Sequence, residues 1–136
     1  MDERYSFSDL PRAIQIQLAG VGPLLFGAVV GFMLGESEAG YWALTGLSVV
    51  GGIAGGLDHA SLRAAAARGM VAGALFGAGI VVAHDIADNA ALAKVPSPLV
   101  LLVAIAAVVG AGLGTVGGLL RARAAAPSRR RPAERR

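Results

Sequence analysis

Residues 69–79 read GMVAGALFGAG, with glycine at 69, 73 and 77, every fourth position of an apolar run. In water each such glycine weakens a helix by about 1 kcal/mol relative to alanine. Positions four apart stack on one helical face, so the run presents a flat strip without side chains. In a bilayer that strip has a use. Leucine against leucine brings little net gain where the solvent is itself hydrocarbon. Small residues let two backbones approach and add dispersion contacts. The stretch therefore predicts a membrane-buried helix with a close neighbour.

The same spacing recurs along the chain. Gly27, Gly31 and Gly35 form one set, Gly51 with Gly55 and Gly52 with Gly56 another, and Gly110, Gly114 and Gly118 a third. With Gly69, Gly73 and Gly77 these are the candidate helix-packing residues, directed at another helix of the chain or at a second copy. Spacing alone does not distinguish packing from a glycine-lined conduction path.

Composition agrees with a bilayer setting. Of 136 residues 55% are hydrophobic and 15% charged, and the mean hydropathy is +0.65. The apolar residues come in long uncharged blocks, and about 20 such residues cross about 30 Å of hydrocarbon. Four blocks predict an all-α integral membrane protein, a bundle of four transmembrane helices. The expected spans are about 14–34, 41–57, 67–84 and 99–120 within a membrane domain of 14–120. Residues 1–13 form a short polar N-terminal segment, and a helix start near Asp9 is expected after Ser8. Residues 121–136 form a basic tail whose composition predicts disorder. Asp2, Glu3 and Asp9 spoil a signal-peptide n-region, so the first span is expected to act as an uncleaved anchor.

Two spans carry complications. Pro23 removes a backbone hydrogen bond inside the first, which neighbouring helices in a membrane can compensate. The third has an uncharged core of only 15 residues, Gly69 to Ala83, and a re-entrant segment is its alternative. Ser61 is the expected cap of that helix.

Charge sets the expected orientation. Eleven of the twelve basic residues fall in the N-terminal segment, the second loop (Arg63, Arg68) and the tail; only Lys94 lies in the other loops. The positive-inside rule then places both termini in the cytoplasm and the chain in the cytoplasmic membrane. Four crossings satisfy this and a re-entrant third segment does not. Arg121, Arg123, Arg129, Arg130 and Arg131 are the candidate contacts to anionic lipid headgroups. No aromatic residue interleaves the tail, so no nucleic-acid partner is expected.

A weaker likeness links the two halves. LLFGAVVG at 24–31 is similar to ALFGAGIV at 74–81, and VVGGIAGG at 49–56 to VVGAGLGT at 108–115. Two repeated helical hairpins of the same orientation account for this, as does the shared glycine-rich composition.

Few residues offer chemistry. Glu36, His84, Asp85 and Asp88 gather at the outer ends of the first and third spans and form a candidate cation site of oxygen ligands with one imidazole. The plainer reading is that polar residues end the spans. Asp58 and His59 end the second span and either move protons or simply terminate it. Gln15 and Gln17 either bond across helices or mark the interface. Cysteine is absent, which excludes disulfides and thiolate metal sites. The serines lack a nucleophile elbow, and no glycine-rich run ends in the Lys-Ser/Thr of a phosphate loop. An enzyme is not expected, nor is a cofactor.

Two functions remain in view. The leading one is an oligomeric transporter or channel-like protein of unknown solute, for which the repeated hairpins and the acidic outer ends of the spans argue. The other is a non-transporting anchor or accessory subunit that receives a membrane-protein partner on its glycine-lined faces. Both require the same topology. Cysteine at Ser128 should react with an impermeant thiol reagent only from the cytoplasmic side, and cysteine at Ser37 or Ser97 only from the outside. Labelling of Ser128 and Ser37 variants from the same side would reject that topology.

Overall fold

The computed structural model describes residues 11, 14, 17–59 and 61–125. The expected helix start near Asp9 and the arginines Arg129, Arg130 and Arg131 lie outside the described residues. A π turn, Gln17–Val21, leads into α1 (Gly22–Glu36); α2 (Glu38–Leu57), α3 (Leu62–Ala87) and α4 (Leu101–Ala125) follow. Among the described residues all regular structure is helical. α2, α3, α4 and the continuous helical stretch Ala19–Glu36, which joins the end of the π turn to α1, are each long and apolar enough to cross a membrane.

The helix boundaries have local causes. Pro23 sits in the first turn of α1, where its fixed φ suits a helix. The wider π turn lies directly before it, a local adjustment of the kind that accompanies a gap in the hydrogen-bond ladder. Ser37 breaks the chain between α1 and α2 with extended backbone, and its hydroxyl accepts from the Gly40 N–H at 3.1 Å. Ser61 caps α3 in the same way, accepting from the Ala64 N–H at 3.2 Å. α3 is the longest helix at 26 residues and runs unbroken through its glycines. At 1.5 Å per residue it measures about 39 Å, more than the hydrocarbon thickness. The alanines and Arg63 and Arg68 before Gly69 supply the length that the uncharged core lacks. α4 runs on to Ala125, so residues 121–125 are helical and not part of a disordered tail. The alanines among its arginines favour that extension.

The helices alternate in direction. α1 lies parallel to α3, α2 parallel to α4, and α3 antiparallel to α4, as successive contacts show. Methyl groups built on Gly27 and Gly31 would overlap the carbonyls of Phe76 and Ile80. Along the α3–α4 seam the pairs run Gly69 with Gly110, Gly73 with Ala106, and Gly77 with Val103. Gly77 is buried. A methyl on it would come within 2.8 Å of the Val103 Cα and 3.1 Å of the Ala106 Cβ. All three glycines of the 69–77 run therefore face one neighbour, α4. The same seam continues toward the start of α3, where Gly114 meets Ala65 and Gly118 meets the side chains of Leu62 and Ala65. Between α2 and α4, Gly56 meets Gly114, and Gly117 meets Ile53.

Gly51 and Gly55 differ: nothing lies within 4 Å of a methyl built on either. Of the two expected neighbours, a helix of the chain or one of a second copy, the first is not found at these two glycines. The face of α2 turned to α4 carries Gly52 and Gly56 instead.

All helices share two ends. One, the basic end, holds the starts of α1 and α3 and the end of α2, with Arg63, Arg68, Arg121 and Arg123 beside Asp58 and His59. The other, the acidic end, holds Glu36, Glu38, Asp85 and Asp88. The side-chain core sits toward the acidic end, where Val30, Leu34, Tyr41, Ile80, Ala93 and Leu102 cluster. The 88–100 segment folds back onto α1 there, with the Leu92 N–H donating to the Leu34 carbonyl at 2.9 Å. Outward faces are apolar: Val108 is 73% exposed and Ile86 78%. Such surfaces suit lipid rather than water.

Gly73→Leu should cost about 1–3 kcal/mol through overpacking of the α3–α4 seam. Gly112→Ala, with open space at its Cβ, should be neutral or stabilise by up to about 1 kcal/mol through helix propensity. Thermal melts of both variants in one detergent check the contrast.

Candidate functional site

The acidic end holds the cation candidates Glu36, His84, Asp85 and Asp88. α3 stops at Ala87, and Asp88 adopts the left-handed conformation with φ 51°. Its N–H bonds the His84 carbonyl at 3.2 Å, so Asp88 closes the helix. The shared helix face of His84 and Asp88 is therefore lost one residue early. Asp85 is exposed. Glu36 accepts from the Asn89 amide at 3.3 Å. Asn89 also abuts Gly35, where a methyl would come within 2.7 Å of its Cβ. The ends of α1 and α3 thus meet, but through Asn89. Among the described residues no three of His, Asp and Glu are placed to hold a metal ion.

At the basic end the guanidinium of Arg121 donates to the Leu57 carbonyl at 3.1 Å. It satisfies a terminal carbonyl of α2 and places positive charge at that helix's negative pole. This bond gives Arg121 a task inside the fold besides any contact with headgroups. Arg123 is exposed.

A groove of about 780 Å³ is lined by all four helices. α3 and α4 contribute Gly69, Ala72, Gly73, Phe76, Ala106 and Val109, among others. α1 and the turn before it contribute Ala19, Gly22, Pro23 and Phe26. α2 lines it along most of its length, from Tyr41 to Gly56, and includes the uncovered Gly51 and Gly55. Phe26 and Phe76 stack within it, ring centroids 6.1 Å apart. The hydroxyl of Ser48 is turned back to the Thr45 carbonyl at 2.6 Å. Among the described residues the charged lining groups are Arg68 toward the basic end and Lys94 at the acidic end, and no Asp or Glu lines the groove.

The groove exists because the two hairpins pack differently. α1 and α2 share far less surface than α3 and α4. They meet around their turn, where a methyl on Gly40 would touch the Met33 sulfur at 3.3 Å. The likeness between the halves pairs positions fifty residues apart in α1 and α3 and fifty-nine apart in α2 and α4. Gly51 and Gly55 are thereby paired with Gly110 and Gly114, which do lie in a tight seam. Pro23 is paired with Gly73, and Leu47 with Ala106. Gly73 and Ala106 touch backbone to backbone in α3–α4. A proline and a leucine stand at the corresponding places of α1 and α2, and both line the groove. Glycine spacing and charge do not single out Pro23, Leu47 or Arg68 as site residues, although the aligned halves carry the first two.

Comparison of the chain with protein-family models, curated proteins and solved structures finds no match to any of them.

Asp88→Ala should cost about 1 kcal/mol, because a β-carbon without a local hydrogen-bonding oxygen disfavours φ 51°. Asp88→Gly should equal or exceed the parent in melting temperature, since glycine adopts that conformation freely. Opposite shifts of the two variants are the expected result.

Proposed function

We propose that this protein is a docking protein of the cytoplasmic membrane, with four crossings and both termini in the cytoplasm. It acts as a membrane anchor or accessory subunit and not as a conduit for ions. Its glycine-lined seams hold two hairpins side by side, and its groove receives an apolar or amphipathic component of the membrane. The groove itself carries this reading. It is roomy by the standard of ligand sites, about 300–1,000 Å³, and its walls are dominated by apolar and small residues.

A water-filled ion path needs polar groups at membrane depth. The acidic residues that favour transport sit at one end of the bundle, and none lines the groove. The α3–α4, α1–α3 and α2–α4 seams are closed by backbone contact. No catalytic set supports an enzyme, and no bound cofactor is invoked.

Two measurements on the reconstituted full chain test the proposal. A benzophenone probe at Ala54, on the groove wall, should label a discrete and saturable membrane component. The same probe at Val108, on an outward face, should label bulk lipid without saturation. Proteoliposomes should show no flux of protons or of mono- and divalent cations. Flux that falls with Asp85→Asn and Asp88→Asn would overturn the proposal in favour of a transporter.

A further inference from the structure

We propose that the groove binds an anionic phospholipid of the bilayer, with an acyl chain between α1 and α2 and its phosphate at Arg68. This rests on the reading of the groove as a docking site and names its occupant.

Three observations lead to that occupant. The first is the distribution of charge. The lining is mostly apolar, with the hydroxyl-bearing Tyr41, Thr45 and Ser48 on α2, a cation toward either end and, among the described residues, no carboxylate. A phospholipid with a net negative headgroup has the complementary pattern: one charged end and a long uncharged remainder. The two cationic ends are not equivalent. Lys94 shares its end of the bundle with Glu36, Glu38, Asp85 and Asp88, which repel a phosphate. Arg68 shares its end with Arg63, Arg121 and Arg123 and with one described carboxylate, Asp58, so positive charge prevails there among the described residues. A guanidinium also offers a planar fork of donors suited to phosphate oxygens, which an ammonium does not.

The second is length. From Arg68 to Ile80 the groove follows twelve residue steps of α3, about 18 Å at the helical rise. One leaflet of hydrocarbon is about 15 Å deep, half of the whole. An acyl chain anchored at Arg68 therefore ends near Phe76 and Ile80, short of the acidic end.

The third is the shape of the wall. A partner helix seated here would need a row of close backbone contacts or interhelical hydrogen bonds. Pro23, Leu47 and Phe26 interrupt any continuous small-residue strip on the α1–α2 side. Ser48 spends its donor on its own helix. An acyl chain is thin and adapts its torsions to such a wall, and it is already at hand in the bilayer.

The test uses native mass spectrometry of the purified full chain. The chain is first equilibrated with equal amounts of phosphatidylglycerol and phosphatidylcholine of matched acyl chains. The expected result is one retained phosphatidylglycerol, favoured several-fold over phosphatidylcholine. Arg68→Gln should abolish the preference, and Lys94→Gln should leave it intact. Gly51→Leu should displace the lipid without lowering the melting temperature, because its side chain points into open groove. Gly55→Val serves the same purpose if Gly51→Leu does not fold. Equal retention of both lipids, unaffected by Arg68→Gln, would overturn the anionic occupant while leaving the groove as a docking site. A protein adduct on the Ala54 probe in place of lipid would do the same. Failure of that probe to label anything saturably would instead remove the docking reading itself.

Discussion

At Gly69 and Gly110 the backbones of α3 and α4 lie so close that a methyl on either would enter the other's carbonyl. The rest of the bundle is arranged around such approaches. Hydrocarbon offers little reward for burying leucine, so helices in it gain by bringing many atoms into contact at short range. α3 does this on two faces, using Gly69, Gly73 and Gly77 toward α4 and Gly79 toward α1. It is the helix on which both neighbours lean. Its length and its serine cap keep it continuous where its glycine content argues against a helix in water.

The groove follows from where that close approach fails. Glycine pairs exist on α2 as they do on α4, but a glycine closes a seam only if the opposite helix is also small. Gly51 and Gly55 face a wall that includes Pro23 and Phe26, and they remain uncovered. An opening between helices and a closed seam thus arise from nearly the same sequence. Two bulkier residues, Pro23 and Leu47, stand where the closed seam has Gly73 and Ala106, and Gly27 turns to α3 where its counterpart Gly77 turns to α4. Near the turn the hairpin is held by ordinary side-chain packing through Val30, Leu34 and Tyr41. It is closed at one end and splayed at the other.

The two ends of the bundle have different chemistry. At the acidic end, Asn89 joins the ends of α1 and α3 by bonding Glu36, and Asp88 turns the chain out of α3. The polar residues there terminate helices. At the basic end, Arg121 bonds the last turn of α2, and Arg68 borders the groove. An arginine near a span end is thus more than a topological signal when a carbonyl or a groove lies within its reach.

The class of structure is readable from the chain alone. Three uncharged blocks are long enough to cross hydrocarbon as helices, and the third in order, short in its uncharged core, is lengthened by the alanine-rich stretch before Gly69. Ser61 as a cap is equally legible, because capping is local. Partner choice is not. A glycine every fourth residue states that a face is flat, and it does not state which helix covers it. The run Gly69, Gly73, Gly77 finds α4, whereas Gly51 and Gly55 find no helix. The pairs Gly51–Gly55 and Gly52–Gly56 are equivalent in spacing, yet one is open and the other packed. His84 and Asp88 share a face only if the helix runs one residue further, and the chain instead turns at Asp88 to bring Asn89 against α1. The groove depends on Pro23 and Leu47 lying opposite a particular stretch of another helix. Such relations join residues distant in the chain, so they come into being only when the bundle assembles.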